Sequence, residues 1–236
     1  MKIVRRGYLP EYEVSFKEEL DKLKLASEDA LYLLNRGYKV KVATMFVQQH
    51  YQLSEPQRLA IARSLATDKA IALRRSKEML KKDCRGKEVF IDGFNAIIPM
   101  ESLLSYSPLF VCMDGAIRDM ANLKGSYRII DKTENAIKLV FEQLQKLGVS
   151  KAHIYLDKPV SNSGRLKSLM LTLGKDYDFD LEVELLNAVD KELYDKSNVI
   201  TGDCVIMDKC ESFIPLYRWV VEDYAKSYDV WTVKLL

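Results

Sequence analysis

The sequence has few of the residues that mark secreted, fibrous or disordered proteins. Its 236 residues include only 10 Gly, 6 Pro and 4 Cys, which excludes collagen-like repeats and flexible linkers as its main character. The cysteines show no C-x-x-C spacing, which argues against a disulfide framework and against a thiolate zinc site. We therefore expect buried, reduced thiols at Cys84, Cys112, Cys204 and Cys210.

Histidine and long apolar runs are also scarce. The two histidines, His50 and His153, lie far apart in the sequence, which argues against a histidine-rich metal site. No apolar run approaches the roughly 18 residues that a membrane helix needs, and the N-terminus mixes charged and turn residues where a signal peptide has an apolar core. The sequence predicts a globular cytoplasmic protein with no membrane partner.

The charge of the chain differs between its two parts. The formal net charge is +2, but residues 1–87 carry 19 Lys and Arg against 11 Asp and Glu, whereas residues 88–236 carry 17 against 23. A basic part joined to an acidic part suggests that the first binds a polyanion and that the second holds cations acting on it. Lysine-rich solvated helices would give the same count, so both interpretations stay open.

Residues 1–86 have the periodicity of helices. Apolar residues recur at three- and four-residue intervals over 15–35, and a shorter helical stretch covers 40–52. Ser54 and Gln57 then form a capping-box pattern, which predicts the start of a long helix that ends near residue 84.

Three basic residues of that long helix share one face because they are spaced at i, i+3 and i+7. They are Arg74, Lys77 and Lys81. We predict that this face contacts a polyanion such as nucleic acid.

From residue 87 onward, predicted strands alternate with predicted helices. The strands lie near 88–92, 109–113, 152–157, 180–185, 197–202 and 229–233. The helices lie near 97–105, 132–147, 163–174, 187–195 and 214–226. This alternation predicts an α/β fold with a mostly parallel sheet flanked by helices. We therefore divide the chain into an all-α basic module, residues 1–86, and an α/β domain, residues 87–236.

An acidic residue follows each of three predicted strands. These residues are Asp92, Asp157 and Asp203. The carboxyl ends of parallel strands meet at one edge of a sheet, and carboxylates crowded there repel one another unless a cation lies among them. Because Mg²⁺ prefers oxygen ligands and retains waters that a phosphate can replace, the sequence predicts Mg²⁺ or Mn²⁺ at this edge. A turn or a helix cap is the alternative role for each residue.

The order of these motifs resembles a nuclease family. Asp92-Gly93-Phe94-Asn95 is similar to the first motif of the NYN branch of the PIN-like nucleases. Residues 188–193 resemble the helical acidic motif of that family, and residues 199–203 resemble the strand that follows it. The resemblance implies a PIN/NYN-like fold for residues 88–236 and metal-dependent hydrolysis of RNA, or of another single-stranded nucleic acid.

The same resemblance implies roles for individual residues. Asp92, Asp190 and Asp203 would be ligands of the metal, and Asn95 would orient Asp92 or a metal-bound water. The whole chain also resembles an archaeal family of unknown function, in which a helical module precedes such a domain.

This chain departs from the nuclease pattern at one position. Many relatives carry a further acid two positions after the equivalent of Asp203, where this chain has Val205. Asp208 is the nearest acid that could replace it. A second interpretation is therefore a catalytically silent protein that keeps the fold and binds nucleic acid.

Two other polar clusters are candidates for the site. Asp114 follows the strand near 109–113 and could form a further wall of the metal site. We predict that Arg118 either holds a phosphate or pairs with Asp114 or Asp119. Phosphate binding at a helix N-terminus is predicted for Lys158, Ser161 and Ser163, with helix capping as the alternative for Ser163.

Other chemistries have less support in the sequence. A small-molecule phosphatase with an aspartyl nucleophile would need a second Asp shortly after Asp92, where this chain has Asn95. No Walker-type lysine and no G-x-G-x-x-G is present, so the sequence does not predict a nucleotide cofactor. Glu101, on the helix after the first motif, could turn inward toward the site, but an exposed side chain is the expectation.

Overall fold

The N-terminal part of the chain is helical, as the sequence predicts. The computed structural model describes residues 4–121 and 125–236. A π-helical turn at Val14–Glu18 precedes four helices, which are α1 (Leu20–Asn35), α2 (Val40–His50), α3 (Glu55–Ser64) and α4 (Asp68–Lys77). None of the helices in these described ranges is long and apolar enough to cross a membrane.

Strands and helices alternate after a short 3-10 turn at Lys81–Asp83. In chain order, these elements are β1 (Glu88–Asp92), α5 (Gly93–Leu104), β2 (Leu109–Val111), β3 (Ile117–Asp119), α6 (Thr133–Leu147), β4 (Lys151–Asp157), α7 (Ser163–Leu173), β5 (Asp180–Leu186), α8 (Val189–Leu193), β6 (Val199–Ile200), α9 (Cys204–Lys209), α10 (Leu216–Tyr224) and β7 (Thr232–Val233). A further 3-10 turn at Gly174–Asp176 follows α7.

The strands form two sheets. The main sheet is parallel and has the order β5-β4-β1-β6, and the second sheet has the order β3-β2-β7. In the second sheet β2 pairs antiparallel with β3 and parallel with β7. The predicted α/β architecture is confirmed, but the predicted strands near 109–113 and 229–233 belong to the second sheet. β3 and α9 were missed because three and six residues are too few to show a period.

The main sheet is covered on both faces. Val89 and Ile91 on β1 point to one face and join the apolar cluster of α5, α6 and α10, whereas Phe90 between them packs with α8 and α9 on the other. β4 alternates in the same way, with Ile154 on the first face and Tyr155 on the second. Burial of a large apolar side chain contributes roughly 1.5–3 kcal/mol to stability. The alternation therefore determines which face of each strand packs against which layer of helices.

The N-terminal helices pack on the second sheet. Phe16 meets Phe110 of β2 edge to face, with 5.1 Å between the ring centroids. Ala26 of α1 and Val233 of β7 belong to the same buried cluster. The helical region and the α/β region thus share an apolar core in addition to their chain connection.

The long helix predicted after Ser54 is in fact two helices. The capping box forms as predicted, because Ser54 accepts the N–H of Gln57 and the Gln57 side chain accepts the N–H of Ser54. However, Leu65 and Thr67 have extended backbone dihedrals, and the Thr67 hydroxyl caps α4 by accepting the N–H of Ala70. The prediction of one continuous helix is wrong because Thr67 starts a new one.

Glu101 is buried, so the expectation of an exposed side chain is wrong. Its carboxylate accepts a hydrogen bond from Arg6 Nε at 2.7 Å and another from the Tyr127 hydroxyl at 2.7 Å. The Thr133 hydroxyl donates to it as well. Glu101 therefore holds the N-terminal segment and the start of α6 against α5.

Three of the four cysteines are buried, as expected. These are Cys84, Cys112 and Cys210, whereas the expectation is wrong for Cys204, which is exposed at the start of α9. No disulfide is formed among the described residues.

Gly93 allows α5 to start directly against β4. A Cβ atom at this position would lie 2.6 Å from Leu156 Cδ2 and 2.9 Å from the Tyr155 carbonyl oxygen. Backbone atoms cannot move aside as a flexible side chain can, so the close approach requires glycine here. This approach places Asp92, the last residue of β1, beside β4.

We expect Gly93→Ala to lower the free energy of unfolding by about 1–3 kcal/mol, because the added methyl overpacks the contact with β4. Urea unfolding followed by circular dichroism measures the change. Gly164→Ala is the matched control, since a Cβ on Gly164 would meet nothing within 4 Å. Equal stability of the two variants would contradict this account of Gly93.

Candidate functional site

Four acidic side chains lie along the carboxyl edge of the main sheet. Asp92 and Asp157 end the neighbouring strands β1 and β4, where Asp92 is in register with Tyr155. Asp203 follows β6, which pairs with β1 on its other side. Asp190 lies on α8, directly after β5. The topology thus brings together the acids that the sequence predicts at this edge.

Asp92 is the most buried of the four, with 3% of its surface exposed. Its Oδ1 caps α5 by accepting the N–H of Asn95 at 3.3 Å, and its Oδ2 accepts a hydrogen bond from the Asn95 side-chain amide. Burial raises the pKa of Asp92 to about 7, the Asn95 hydrogen bonds oppose this, and the charges of Asp190 and Asp157 add to it. Asn95 therefore holds Asp92 in one orientation.

Asp203 is fixed by the start of α9. Its Oδ1 accepts the N–H groups of Val205 at 2.7 Å and Ile206 at 3.1 Å. Its own N–H donates to the Thr201 hydroxyl at 3.1 Å. These bonds cap the six-residue helix α9 and leave Asp203 Oδ2 for another partner.

Burial and the negative charges of two other acids raise the pKa of Asp190. These acids are Asp203 and Asp157, whereas the charge of Lys209 lowers the pKa. The charge of one carboxylate thus opposes ionisation of the others, as expected for acids at one edge of a sheet. The four side chains therefore form one acidic group, which we call the acidic edge.

No member of the acidic edge forms an ion pair with another residue of ranges 4–121 and 125–236. The nearby acids Asp114 and Asp208, by contrast, both pair with arginine. The carboxylates of the acidic edge thus have no salt-bridge partner in the described part of the chain, although the more distant charge of Lys209 lowers the pKa of Asp190.

The donor set of the acidic edge suits a hard cation, because it offers carboxylate oxygens and neither thiolate nor imidazole. Within the described ranges, however, no three His, Cys, Asp or Glu side chains are arranged as a closed metal site. Mg²⁺ usually takes one or two carboxylates and completes its shell with water and phosphate oxygens. The residues therefore fit an open, water-rich site and not a closed protein cage.

A buried ion network lies beside the acidic edge. Asp114 is fully buried and accepts hydrogen bonds from Arg74 Nη1 at 2.6 Å and from Arg118 Nη2 at 2.7 Å. Arg74 also binds both oxygens of Asp208, with Nε 2.7 Å from Oδ1 and Nη2 3.0 Å from Oδ2. Burial alone would raise the pKa of Asp114, but the charges of Arg118 and Arg74 hold it below its usual value. The network joins α4, the β2–β3 turn and α9.

This network also fixes the backbone next to Asp203. Arg118 Nε donates to the Gly202 carbonyl at 2.8 Å, and its Nη1 donates to the Arg63 carbonyl of α3 at 3.0 Å. Because one guanidinium binds both carbonyls, the position of Asp203 depends on the N-terminal helices.

Several predicted site residues belong to this network instead of the acidic edge. For Arg118 the structure shows the ion pair with Asp114, not a free guanidinium. The arginine contacts of Asp114 and Asp208 argue against roles for them as further metal ligands. The prediction that Arg74 lies on an exposed basic face is wrong, because only 6% of this residue is exposed.

The other two residues of the predicted basic face also contact residues of the α/β region. Lys77 is the last residue of α4 and donates through Nζ to the Asp208 carbonyl at 2.6 Å. Lys81 lies beyond the end of the helix, with its Nζ 5.3 Å from the centre of the Trp219 ring. The three residues therefore do not form the continuous face that the spacing predicts.

The loop before α7 binds another part of the chain. The Ser161 hydroxyl accepts the N–H of Tyr127 at 2.9 Å, and the Asn162 amide donates to the Tyr127 carbonyl at 2.7 Å. The Ser163 hydroxyl donates to the Lys158 carbonyl at 3.4 Å. Ser163 does not cap α7, since the N-cap residue is Asn162 and it makes no side-chain cap bond. Phosphate binding by Lys158, Ser161 and Ser163 stays a prediction.

A cleft of about 490 Å³ adjoins the acidic edge. The N-terminal helices form one wall with Ala62, Ala66 and Ala70, and Asn95 and Asp203 lie in the opposite wall. The sequence does not predict this cleft, because the break between α3 and α4 and the packing of the helices on the second sheet create it.

We expect Asp114→Ala to lower the free energy of unfolding by about 3–5 kcal/mol, because it leaves two arginines buried without their shared carboxylate. Glu134→Ala is the control, since Glu134 pairs with Lys138 on the surface and such pairs contribute about 0–1 kcal/mol. Urea denaturation measures both variants. A loss at Asp114 no larger than that at Glu134 would contradict the structural role of the network.

Two protein-family models match the chain. The family described as Domain of unknown function (DUF5616) matches residues 81–219, and the one described as Protein of unknown function (DUF434) matches residues 22–77. An uncharacterized protein of Methanocaldococcus jannaschii is 40% identical over 207 residues, which are 88% of this chain and 97% of that protein.

No solved structure matches the protein, and the resemblance to NYN nucleases stays a prediction. The expected resemblance to an archaeal two-module family of unknown function is confirmed. The chain belongs to this family, and in it the DUF434 region precedes the DUF5616 domain along the sequence.

Proposed function

We propose that the protein is a divalent-metal-dependent nuclease with a PIN/NYN-like domain, which hydrolyses phosphodiester bonds of RNA or of other single-stranded nucleic acid. The acidic edge is the observation that supports this proposal most. Four carboxylates at the carboxyl edge of a parallel sheet form no salt bridge with the described residues, and ligand sites of open α/β sheets occur at such edges.

Within this proposal, Asp203 and Asp190 hold Mg²⁺ or Mn²⁺. Asp203 has its Oδ1 committed to α9, so its Oδ2 is the oxygen that faces a ligand. A bound cation would neutralise phosphate charge and increase the acidity of a water molecule.

Asn95 restrains the carboxylate of Asp92, and this restraint keeps Asp92 directed along the edge. A fixed carboxylate loses less conformational entropy when it binds a cation than a mobile one does. Asp157 ends the strand next to β1 and adds negative charge to the same place.

Basic residues near the cleft would attract a polyanion electrostatically. Lys39 and Lys41 are exposed on either side of Val40, which lines the cleft, and Lys69 is exposed next to Ala70 on α4. These lysines replace the predicted face of Arg74, Lys77 and Lys81 as the proposed contact surface for the phosphate backbone.

A catalytically silent nucleic-acid-binding protein is the second candidate. Val205, where many nucleases of the resembled family have an acid, is 44% exposed at the start of α9. The carboxylates of the acidic edge also form no closed metal site among the described residues, and this favours a protein without catalytic activity. Its binding would depend on salt and not on the carboxylates of the acidic edge.

We expect Asp203→Asn to reduce cleavage of a labelled single-stranded RNA in Mg²⁺ or Mn²⁺ by about 100-fold or more, because the cation loses a charged ligand. The asparagine can still cap α9, so circular dichroism should show an unchanged fold. Asp21→Asn, at a fully exposed side chain of α1, is the matched control and should cleave as the wild type does.

Failure of the wild type to cleave RNA and single-stranded DNA in either metal would overturn the nuclease proposal. Salt-sensitive RNA binding that Asp203→Asn leaves unchanged would then identify the silent binder.

A further inference from the structure

We propose that the cleft between α3–α4 and the acidic edge binds one nucleoside of the substrate, and that Asp119 and Arg63 select guanine there. The inference rests on the proposed function only in assigning the nucleoside to a nucleic-acid strand. Nucleoside binding itself does not require cleavage.

The position of the cleft connects it to the acidic edge. Asn95 and Asp203 lie in its wall, so a phosphate held at the acidic edge would place the attached nucleoside at the cleft. Its volume of about 490 Å³ lies within the range of about 300–1,000 Å³ found for small-molecule sites. The cleft therefore has both the location and the size for one nucleoside.

The walls of the cleft suit a planar ring. Among the residues that line the cleft, Ala62, Ala66 and Ala70 are small and apolar on the side of the N-terminal region, and Pro99 and Ile117 are apolar on the side of the α/β region. The apolar atoms of these side chains can cover the faces of a base without competing for its hydrogen bonds.

Asp119 supplies the acceptor at the wall of the cleft. Its Oδ1 accepts the N–H of Ala121 at 2.6 Å, and a carboxylate offers about four lone-pair sites in all. Burial raises the pKa of Asp119 to about 6, while the charges of Arg63 and Arg6 oppose the rise. The carboxylate is thus mostly ionised at neutral pH and able to accept further N–H donors.

Arg63 supplies the donor beside it. Its Nη1 donates to the Asp119 carbonyl at 2.6 Å. Hydrogen bonds from its Nε and Nη2 to other residues of ranges 4–121 and 125–236 are absent. Arg118, which also lines the cleft, is different because all three of its nitrogens already donate within the protein.

A carboxylate next to a guanidinium matches guanine better than the other bases. The pairing edge of guanine has two adjacent N–H donors for the carboxylate and then O6, which accepts from arginine. In adenine and cytosine, a ring-nitrogen acceptor would face the Asp119 carboxylate. Uracil has only one N–H on this edge, and it lies between two carbonyls. A buried carboxylate facing an acceptor remains unpaired, and sites of this kind reject the wrong ligand strongly.

Titration of the whole protein with GMP, AMP, CMP and UMP in EDTA tests the inference by calorimetry. We expect GMP to bind at least about 10-fold more tightly than AMP. Asp119→Asn should abolish this preference, because its amide replaces an acceptor by a donor. Arg63→Gln should weaken GMP binding as an independent second variant, and Asp21→Asn should bind as the wild type does.

Two results would overturn the inference. One is the absence of saturable GMP binding up to about 1 mM. The other is a base preference that both Asp119→Asn and Arg63→Gln leave unchanged. Because EDTA removes the metal, GMP binding without RNA cleavage would overturn only the nuclease, and RNA cleavage without GMP binding would overturn only this inference.

Discussion

The buried carboxylate of Asp114 is the interaction on which the relative placement of the elements depends. It binds Arg74 of α4 and Arg118 of β3, and Arg118 continues to the Gly202 carbonyl beside Asp203. Burying such a network costs desolvation energy, which its hydrogen bonds and opposite charges offset. Here it sets the distance between the N-terminal helices and the carboxyl edge of the sheet. The parallel sheet creates the acidic edge, and the network positions the N-terminal helices that form the cleft beside it.

The structure separates two kinds of acid that look alike in the sequence. Asp114 and Asp208 are neutralised by arginine, whereas the acidic edge has no such partner among the described residues. Only the second kind leaves negative charge for a ligand to compensate. This contrast, and not the number of acids, supports the proposed cation site.

The elements with strong local signals could be predicted from the sequence. β1 and its terminal Asp92, the capping box at Ser54 and helix α6 follow from short-range patterns. The errors concern residues whose partners are distant. Arg74 looks like a surface residue because its partners lie 40 and 134 positions away, and Glu101 is buried because Arg6 reaches it from the N-terminus. Helical spacing cannot show such partners, and it cannot show the break that Thr67 makes.

Anomalous diffraction from crystals soaked in Mn²⁺ tests the central claim, which is that the acidic edge binds a divalent cation. We predict an anomalous peak in contact with Asp203 and Asp190, next to Asp92, with water completing the coordination shell. The absence of a peak there at saturating Mn²⁺, or a peak only elsewhere on the protein, would contradict the account.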